Sequence, residues 1–186
     1  MLLPWGEWTV LSHLITVWSA LAHQVAVVVA KEDALLAREL DRIAFPLNDR
    51  ILNPDRERGM FSSIRCAATW NNWSDSLTHM AIVLGDQPNL NLTMTLIPLL
   101  HLAEANPSHV CQPSYHVRPR HPVVLPRHLV QMLAETTAVT LKEFLAPLAG
   151  ITVLSPSDDP ALDLDLDVSA DYERAHQMFF GEPPAR

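Results

Sequence analysis

The chain has 186 residues, 48% of them apolar and 18% charged, a composition that suits one globular domain with a sizeable core and excludes a disordered, fibrous or disulfide-rich chain. Its formal net charge of -8, with no Lys/Arg-dense stretch, works against nucleic acid or an anionic membrane surface and favours a small ligand or a protein partner. Cys66 and Cys111 lie far apart with no Cys-x-x-Cys spacing, which points to free thiols in a reducing cytoplasm.

Thr9 can cap a helix over residues 10–22, with Leu11, Leu14, Ile15, Trp18 and Leu21 as its apolar stripe. The longest apolar stretch, LITVWSALAHQVAVVVA, contains His23 and Gln24 and changes from helical to continuous β-branched character. A helix followed by a buried strand, QVAVVVA, explains it better than a membrane span. MLLPWGEWT has no basic n-region of a secretory signal. EDALLARELDRI reads as a helix, IAFPLN as a short strand, and NPDRERGMFSSIRCAATW as a loop turning helical from Met60 to about Trp70. AIVL is the next strand and LTMTLIPLLHLAEAN the next helix, in which Pro98 predicts a kink or a late start. HVCQPSY and PVVLP read as strands flanking the basic loop HVRPRH, followed by helices RHLVQMLAE and LKEFLAPLA, a strand ITVL, a partly alternating acidic stretch SDDPALDLDLDVS and a closing helix ADYERAHQMFF. Strands alternating with helices of this length predict parallel β-α-β units in a single three-layer α/β/α domain over 1–186.

In an open parallel sheet, ligands gather at the carboxyl ends of the strands, and Asp86 in LGDQP follows one such end. As turn chemistry, Gly-Asp-x-Pro explains itself. As function, a carboxylate fixed there, with Gly85 leaving room beside it, suits a hard cation such as Mg2+ held against phosphates. Asp163, Asp165 and Asp167 alternate with leucines, which makes either a solvated acidic edge strand or a second set of ligands on one face. Arg56 and Arg58, and then His116, Arg118, Arg120 and His121, concentrate positive charge in two loops, for solubility or for a polyanionic substrate. A zinc site from His109, Cys111, His116 and His121 is disfavoured because the spacing matches no zinc motif.

Taken in order, LLPWGEWTVLSHLI, NPDRERGMFSSIRCAA, AIVLGDQP, PSYHVRPRHPVVLP, TLKEFL and DDPALDLDLDVSADYERA resemble the MobA-like NTP transferases, especially the branch that transfers a guanylyl or cytidylyl group to the molybdenum cofactor. The resemblance implies a Rossmann-like, mostly parallel sheet of the nucleotide-diphospho-sugar transferase type. It implies Asp86 as the Mg2+-binding aspartate, with Asp165 as the best match to the second acidic position and Asp167 a close rival. Asn53, Gly59, Met60, Ser62 and Ser63 resemble the segment lining the nucleotide, and Ser114, Arg118, His121 and Pro122 the acceptor-side loop. The implied substrates are an NTP (CTP or GTP) and a phosphorylated acceptor such as molybdopterin. The alternative is a non-catalytic nucleotide- or cofactor-binding subunit serving a molybdenum enzyme.

Two departures stand out. The family opens with a strand and a loop of the type AAGxSxRMG followed by a lysine, and this sequence begins at Met1 beyond that segment. The expectation is therefore an N-terminally truncated domain without its first strand, with Met1 an internal methionine of a longer enzyme, or else a short relative that has lost catalysis. Sheet edges left unpaired by that strand would be closed by other strands or covered in a homo-oligomer. Arg120 also stands where the family has glycine before His-Pro.

Overall fold

The structure is a computed structural model describing residues 1–184. The chain gathers into two compact units, one formed by Met1–Leu14, Ala81–Leu125 and the chain from Ile151, the other by Ile15–Met80 and Pro126–Gly150.

A small hairpin opens the chain: β1 (Pro4–Trp5) and β2 (Trp8–Thr9) pair antiparallel. Gly6 turns it with φ +62, where a side chain would be strained and would also press on Phe180. Helix α1 (Val10–Leu21) follows, within a residue of the predicted span. At its start the Ser12 amide donates to Thr9 Oγ1 at 3.1 Å and the Thr9 amide to Ser12 Oγ at 2.9 Å, a capping box built with serine in the third position. The apolar stretch then breaks, and β3 (Val27–Ala30) begins. Among the described residues no helix is long and apolar enough to cross a membrane.

Helix α2 (Ala34–Arg42) is capped by Asp33, whose carboxylate accepts from the Leu36 amide at 3.0 Å. The predicted strand IAFPLN is not one. Ala44 turns with φ 53, Pro46 cannot donate to a ladder, and the strand β4 starts later, at Arg50–Asn53. It pairs with β3 in parallel, Val27 opposite Arg50 through Ala30 opposite Asn53, with α2 as the crossover. Helix α3 (Met60–Ala68) leaves Gly59 at φ +80 and packs on β4.

The larger sheet holds five strands: β5 (His79–Ile82), β6 (Val110–Tyr115), β7 (Arg118–Pro119), β8 (Val123–Pro126) and β9 (Thr152–Pro156). β6 is the hub. It runs parallel to β9 over its length but antiparallel to β7 and β8, so the sheet is mixed rather than mostly parallel. Between β5 and β6 a π-helical turn (Leu92–Leu96) leads into α4 (Ile97–Ala105), with Pro98 in the first turn, where its missing amide costs nothing. Leu99 and Ala103 of α4 meet Cys111 and Val124 in a buried cluster joined by Ala81, Leu102 and Val153.

Helices α5 (Arg127–Glu135) and α6 (Leu141–Leu145) match their predicted starts. The acidic stretch is no strand: Asp159 caps a 3-10 turn (Pro160–Asp163), and irregular chain runs on to α7 (Ser169–Phe180). Its alternation survives all the same, because Leu162 and Leu164 are buried while Asp163, Asp165 and Asp167 are exposed.

The β6–β7 connection is a two-residue hairpin in which His116 (φ 47) and Val117 (φ 59) both sit in the left-handed region. Such turns favour Asn-Gly, and a β-branched residue there is strained by about 1–2 kcal/mol. Val117→Gly should therefore raise stability by up to about 1 kcal/mol once glycine's larger unfolded-state entropy is subtracted. Chemical denaturation checks this, and a variant less stable than wild type would contradict it.

Candidate active site

β5 ends at Ile82, so Asp86 lies in a loop four residues beyond the strand rather than directly at its end. The space beside Gly85 is taken up: a Cβ there would come 2.5 Å from Met1 Cε and 2.8 Å from its sulfur. The loop is stitched to the acidic segment. The Leu166 amide donates to the Asp86 carbonyl at 3.0 Å, and Gln87 Nε2 donates to Asp165 Oδ1 at 2.6 Å. On its other flank, His13 Nε2 meets the Pro88 carbonyl at 3.0 Å.

Burial pushes the Asp86 carboxyl above the ordinary carboxylate value. Its own backbone amide opposes this, Asp165 and Asp167 add repulsion, and His121 relieves part of it. His121 is the counterpart: burial holds its imidazole below the usual histidine value, while the Ile82 carbonyl, Asp165 and Asp86 pull it back up. Asp86, Asp165 and His121 thus share one electrostatic neighbourhood, with Asp167 at its margin. Asp86 Oδ1 is buried and meets no hydrogen-bond partner among the described residues, and the same holds for Gln87 Oε1 and both polar atoms of the Asn89 amide. A buried carboxylate oxygen in this condition is costly unless something cationic satisfies it. The donors are hard oxygens of net negative charge, which fit a hard divalent cation and not a soft metal. Among the described residues no group of three or more His, Cys, Asp or Glu is arranged to hold a metal ion, so neither the zinc set nor a protein-only cage is present. Two carboxylates fit the habit of Mg2+, which takes one or two from protein and the rest from water and phosphate.

The acidic triplet divides its work. Arg120 grips Asp163 through Nε at 2.6 Å and through Nη2. Asp163 is thereby paired, and Asp165 and Asp167 are the two acidic groups that act on the Asp86 carboxyl. The Arg120 amide also donates to the Pro113 carbonyl at 2.8 Å, holding the basic loop to β6. Ser114 is buried at the end of β6, Arg118 is exposed on β7, and His121 precedes the buried Pro122 through a cis peptide bond. His121 Nδ1 lies 3.4 Å from the Ile82 carbonyl.

The residues expected to line a nucleotide are gathered in the other unit. Asn53 is buried, and its Nδ2 donates to Ser62 Oγ at 2.8 Å and Ser63 Oγ at 2.9 Å, while its Oδ1 accepts from the Asp55 amide at 2.9 Å. Ser62 Oγ donates in turn to the Gly59 carbonyl at 2.8 Å, so one side chain organises the whole turn into α3. Met60 stands exposed at the first position of that helix.

Residues that sequence reasoning omits include Asp159, Gln87 and His13. Asp159 carried a signal, since Asp before Pro at a helix start is a capping pattern. His13 carried none, its partner lying 75 residues away.

A family model, the MobA-like NTP transferase domain, matches residues 1–152, a span that includes Asp86 and His121 but stops short of Asp165. No curated protein matches the chain in sequence. Among solved structures, Rv0371c from Mycobacterium tuberculosis H37Rv is 23% identical, with 95% of this chain and 88% of that one covered at a TM-score of 0.68. A crystal structure of Rv0371c in complex with manganese gives 22% identity over 95% and 90% of the two chains, TM-score 0.65. A 4-diphosphocytidyl-2C-methyl-D-erythritol synthase is 16% identical over 95% and 93%, TM-score 0.69. At these identities the likenesses establish a common fold.

Proposed function

This chain belongs to the MobA-like NTP transferase family, and we propose that it transfers a CMP or GMP moiety from CTP or GTP to a phosphorylated acceptor such as molybdopterin. An acceptor phosphate oxygen attacks the α-phosphorus, the new P–O bond forms, the bridging bond to the β-phosphate breaks, and pyrophosphate leaves with the electron pair. The observation that carries this reading is Asp86, whose buried Oδ1 has no hydrogen-bond partner among the described residues and whose carboxyl is raised by burial beside Asp165 and Asp167.

Asp86 and Asp165 would hold a divalent cation, Mg2+ in this reading, and such a cation supplies charge neutralisation on the phosphates. The chain's residues do the positioning, which is most of what this chemistry asks. Gln87 fixes the orientation of Asp165. Arg118, exposed on β7, offers a cation to the acceptor's phosphate, while Arg120 spends its charge on Asp163. Asn53 sets the shape of the Gly59–Ser63 turn that would line the nucleotide. The manganese bound by Rv0371c makes Mn2+ the natural probe.

The test is pyrophosphate release by the purified chain with Mg2+ or Mn2+, CTP or GTP, and a molybdopterin acceptor. Release that depends on both acceptor and metal is expected. No release with any combination would overturn the transferase reading, and metal-dependent CTP or GTP binding without release would favour a binding subunit for a molybdenum enzyme.

A further inference from the structure

The loop carrying Asp86 is held from two sides by unlike means. On one side every tether comes from the acidic segment: Leu166 on the Asp86 carbonyl, Asp165 on Gln87, and Asp159 Oδ2 on the Asn91 amide at 2.8 Å. On the other side is His13, in the first turn of α1, 3.0 Å from the Pro88 carbonyl. We infer that His13 is a positioning residue for the Asp86 loop, setting through its hydrogen bond to Pro88 where the Asp86 carboxylate stands.

The bond fixes the tautomer. A carbonyl only accepts, so His13 Nε2 carries the hydrogen and donates. Burial, opposed by the Pro88 bond, keeps the imidazole below its usual value and therefore neutral near pH 7. The ring is itself aimed by packing. It meets Phe179 edge-on, with centroids 5.1 Å apart, and Trp5 at 6.1 Å. Trp5 is fully buried under the β1–β2 hairpin and packs against Phe179 and Phe180 of α7 at 5.4 and 5.3 Å. A hairpin and a C-terminal helix thereby fix the direction of one N–H, and that N–H fixes the loop. Pro88 has no amide of its own, so its carbonyl is the backbone group through which this residue can be held.

Two variants separate the hydrogen bond from the packing. His13→Phe keeps a flat ring against Phe179 and Trp5 and loses the donor; His13→Gln loses the ring and places an amide donor near Nε2. In metal-free protein, hydrogen exchange at the Leu166 and Asn91 amides, whose hydrogen bonds tie the loop to the acidic segment, should speed up about 10-fold or more in His13→Phe and stay near wild type in His13→Gln. Mn2+ affinity, followed by calorimetry, should weaken about 10-fold in His13→Phe and recover in His13→Gln, in line with the usual 10–100-fold worth of groups that orient metal ligands. Wild-type exchange in His13→Phe, or failure of His13→Gln to restore it, overturns the inference, since a packing role predicts the reverse order. Should His13→Phe fail to fold, His13→Met gives the donorless comparison. The Mn2+ arm rests on the function proposed above. If wild type binds no Mn2+, that metal site falls, and the exchange arm still decides for or against His13.

Discussion

Asp86→Asn is expected to change the sign of its effect on stability when a divalent cation is added. Without metal at pH 7 the variant should melt above wild type; with saturating Mn2+ it should melt below. The first half follows from linkage. Asp86 holds its proton more tightly in the folded chain than the ordinary carboxylate value of 3.8 allows. The stability from this group is fully present below that value and is lost as pH rises through the raised folded value. At neutral pH the carboxylate is therefore a burden on the fold, and asparagine, carrying no charge, removes it. The advantage of the variant should shrink and vanish on acidification. The second half follows from mass action: an ion at 100 times its dissociation constant adds about 2.7 kcal/mol to whatever binds it. Removing a direct carboxylate ligand should weaken Mn2+ affinity by more than about 100-fold, because even the partners that merely orient ligands are worth about 10–100-fold. Pyrophosphate release should disappear with it. Melting curves with and without Mn2+ at pH 7 and at acid pH check both halves. A variant that melts below wild type without metal would show that burial and repulsion at Asp86 are offset in the fold, and unaltered Mn2+ affinity would remove Asp86 from the site.

Such a trade is what a half-buried carboxylate with one buried, unsatisfied oxygen suggests, since a site that must attract a cation is strained while it waits for one. The same logic covers Gln87 Oε1 and both polar atoms of the Asn89 amide, which are buried and meet no hydrogen-bond partner among the described residues. The cost is concentrated at three positions of one loop, and Pro88, which lies among them, is held by His13.

What the sequence reveals of this arrangement depends on the range of the interaction. Helices α1, α2 and α5 are legible because caps and apolar stripes are local, as with Asp33 bonding three residues ahead. The β1–β2 hairpin is not, since strands of two residues have no periodicity to read. The antiparallel setting of β7 against β6 is hidden as well, because its turn is His-Val where Asn-Gly would have announced a hairpin. Asp86 is legible as part of LGDQP, and Asp163, Asp165 and Asp167 by their alternation. Their different fates are not legible: Arg120 takes Asp163 and Gln87 takes Asp165 through pairings 43 and 78 residues apart. Only the fold creates those neighbours.

Asp159→Ala is expected to be the most damaging single substitution at this site, by about 3–5 kcal/mol, or roughly a 6–20 °C fall in melting temperature for a chain of this size. Asp159 is 4% exposed. Its Oδ2 accepts from the Asn91 amide at 2.8 Å and from Thr95 Oγ1 at 2.9 Å, and its Oδ1 from the Ala161 amide at 3.1 Å. Alanine leaves the Asn91 and Ala161 amides without this acceptor in a place water reaches poorly, and Thr95 Oγ1 with only Ser157 Oγ at 3.0 Å, and each amide's loss costs about 1–3 kcal/mol. The damage is also topological. Asn91 caps the π-helical turn that follows the Asp86 loop, its Oδ1 accepting from the Thr93 and Met94 amides. Asp159 opens the 3-10 turn leading to Asp165. One carboxylate therefore ties together both chain segments that supply the candidate metal ligands, and its loss should loosen Asp86 and Asp165 relative to each other before the core unfolds. Asp159→Asn keeps one accepting oxygen and should fall between alanine and wild type. Denaturant unfolding gives the stability, and Mn2+ calorimetry well below the melting point gives the site. If Asp159→Ala unfolds within about 1 kcal/mol of wild type, the ordinary range for a point substitution, then the carboxylate is not the clasp its hydrogen bonds describe.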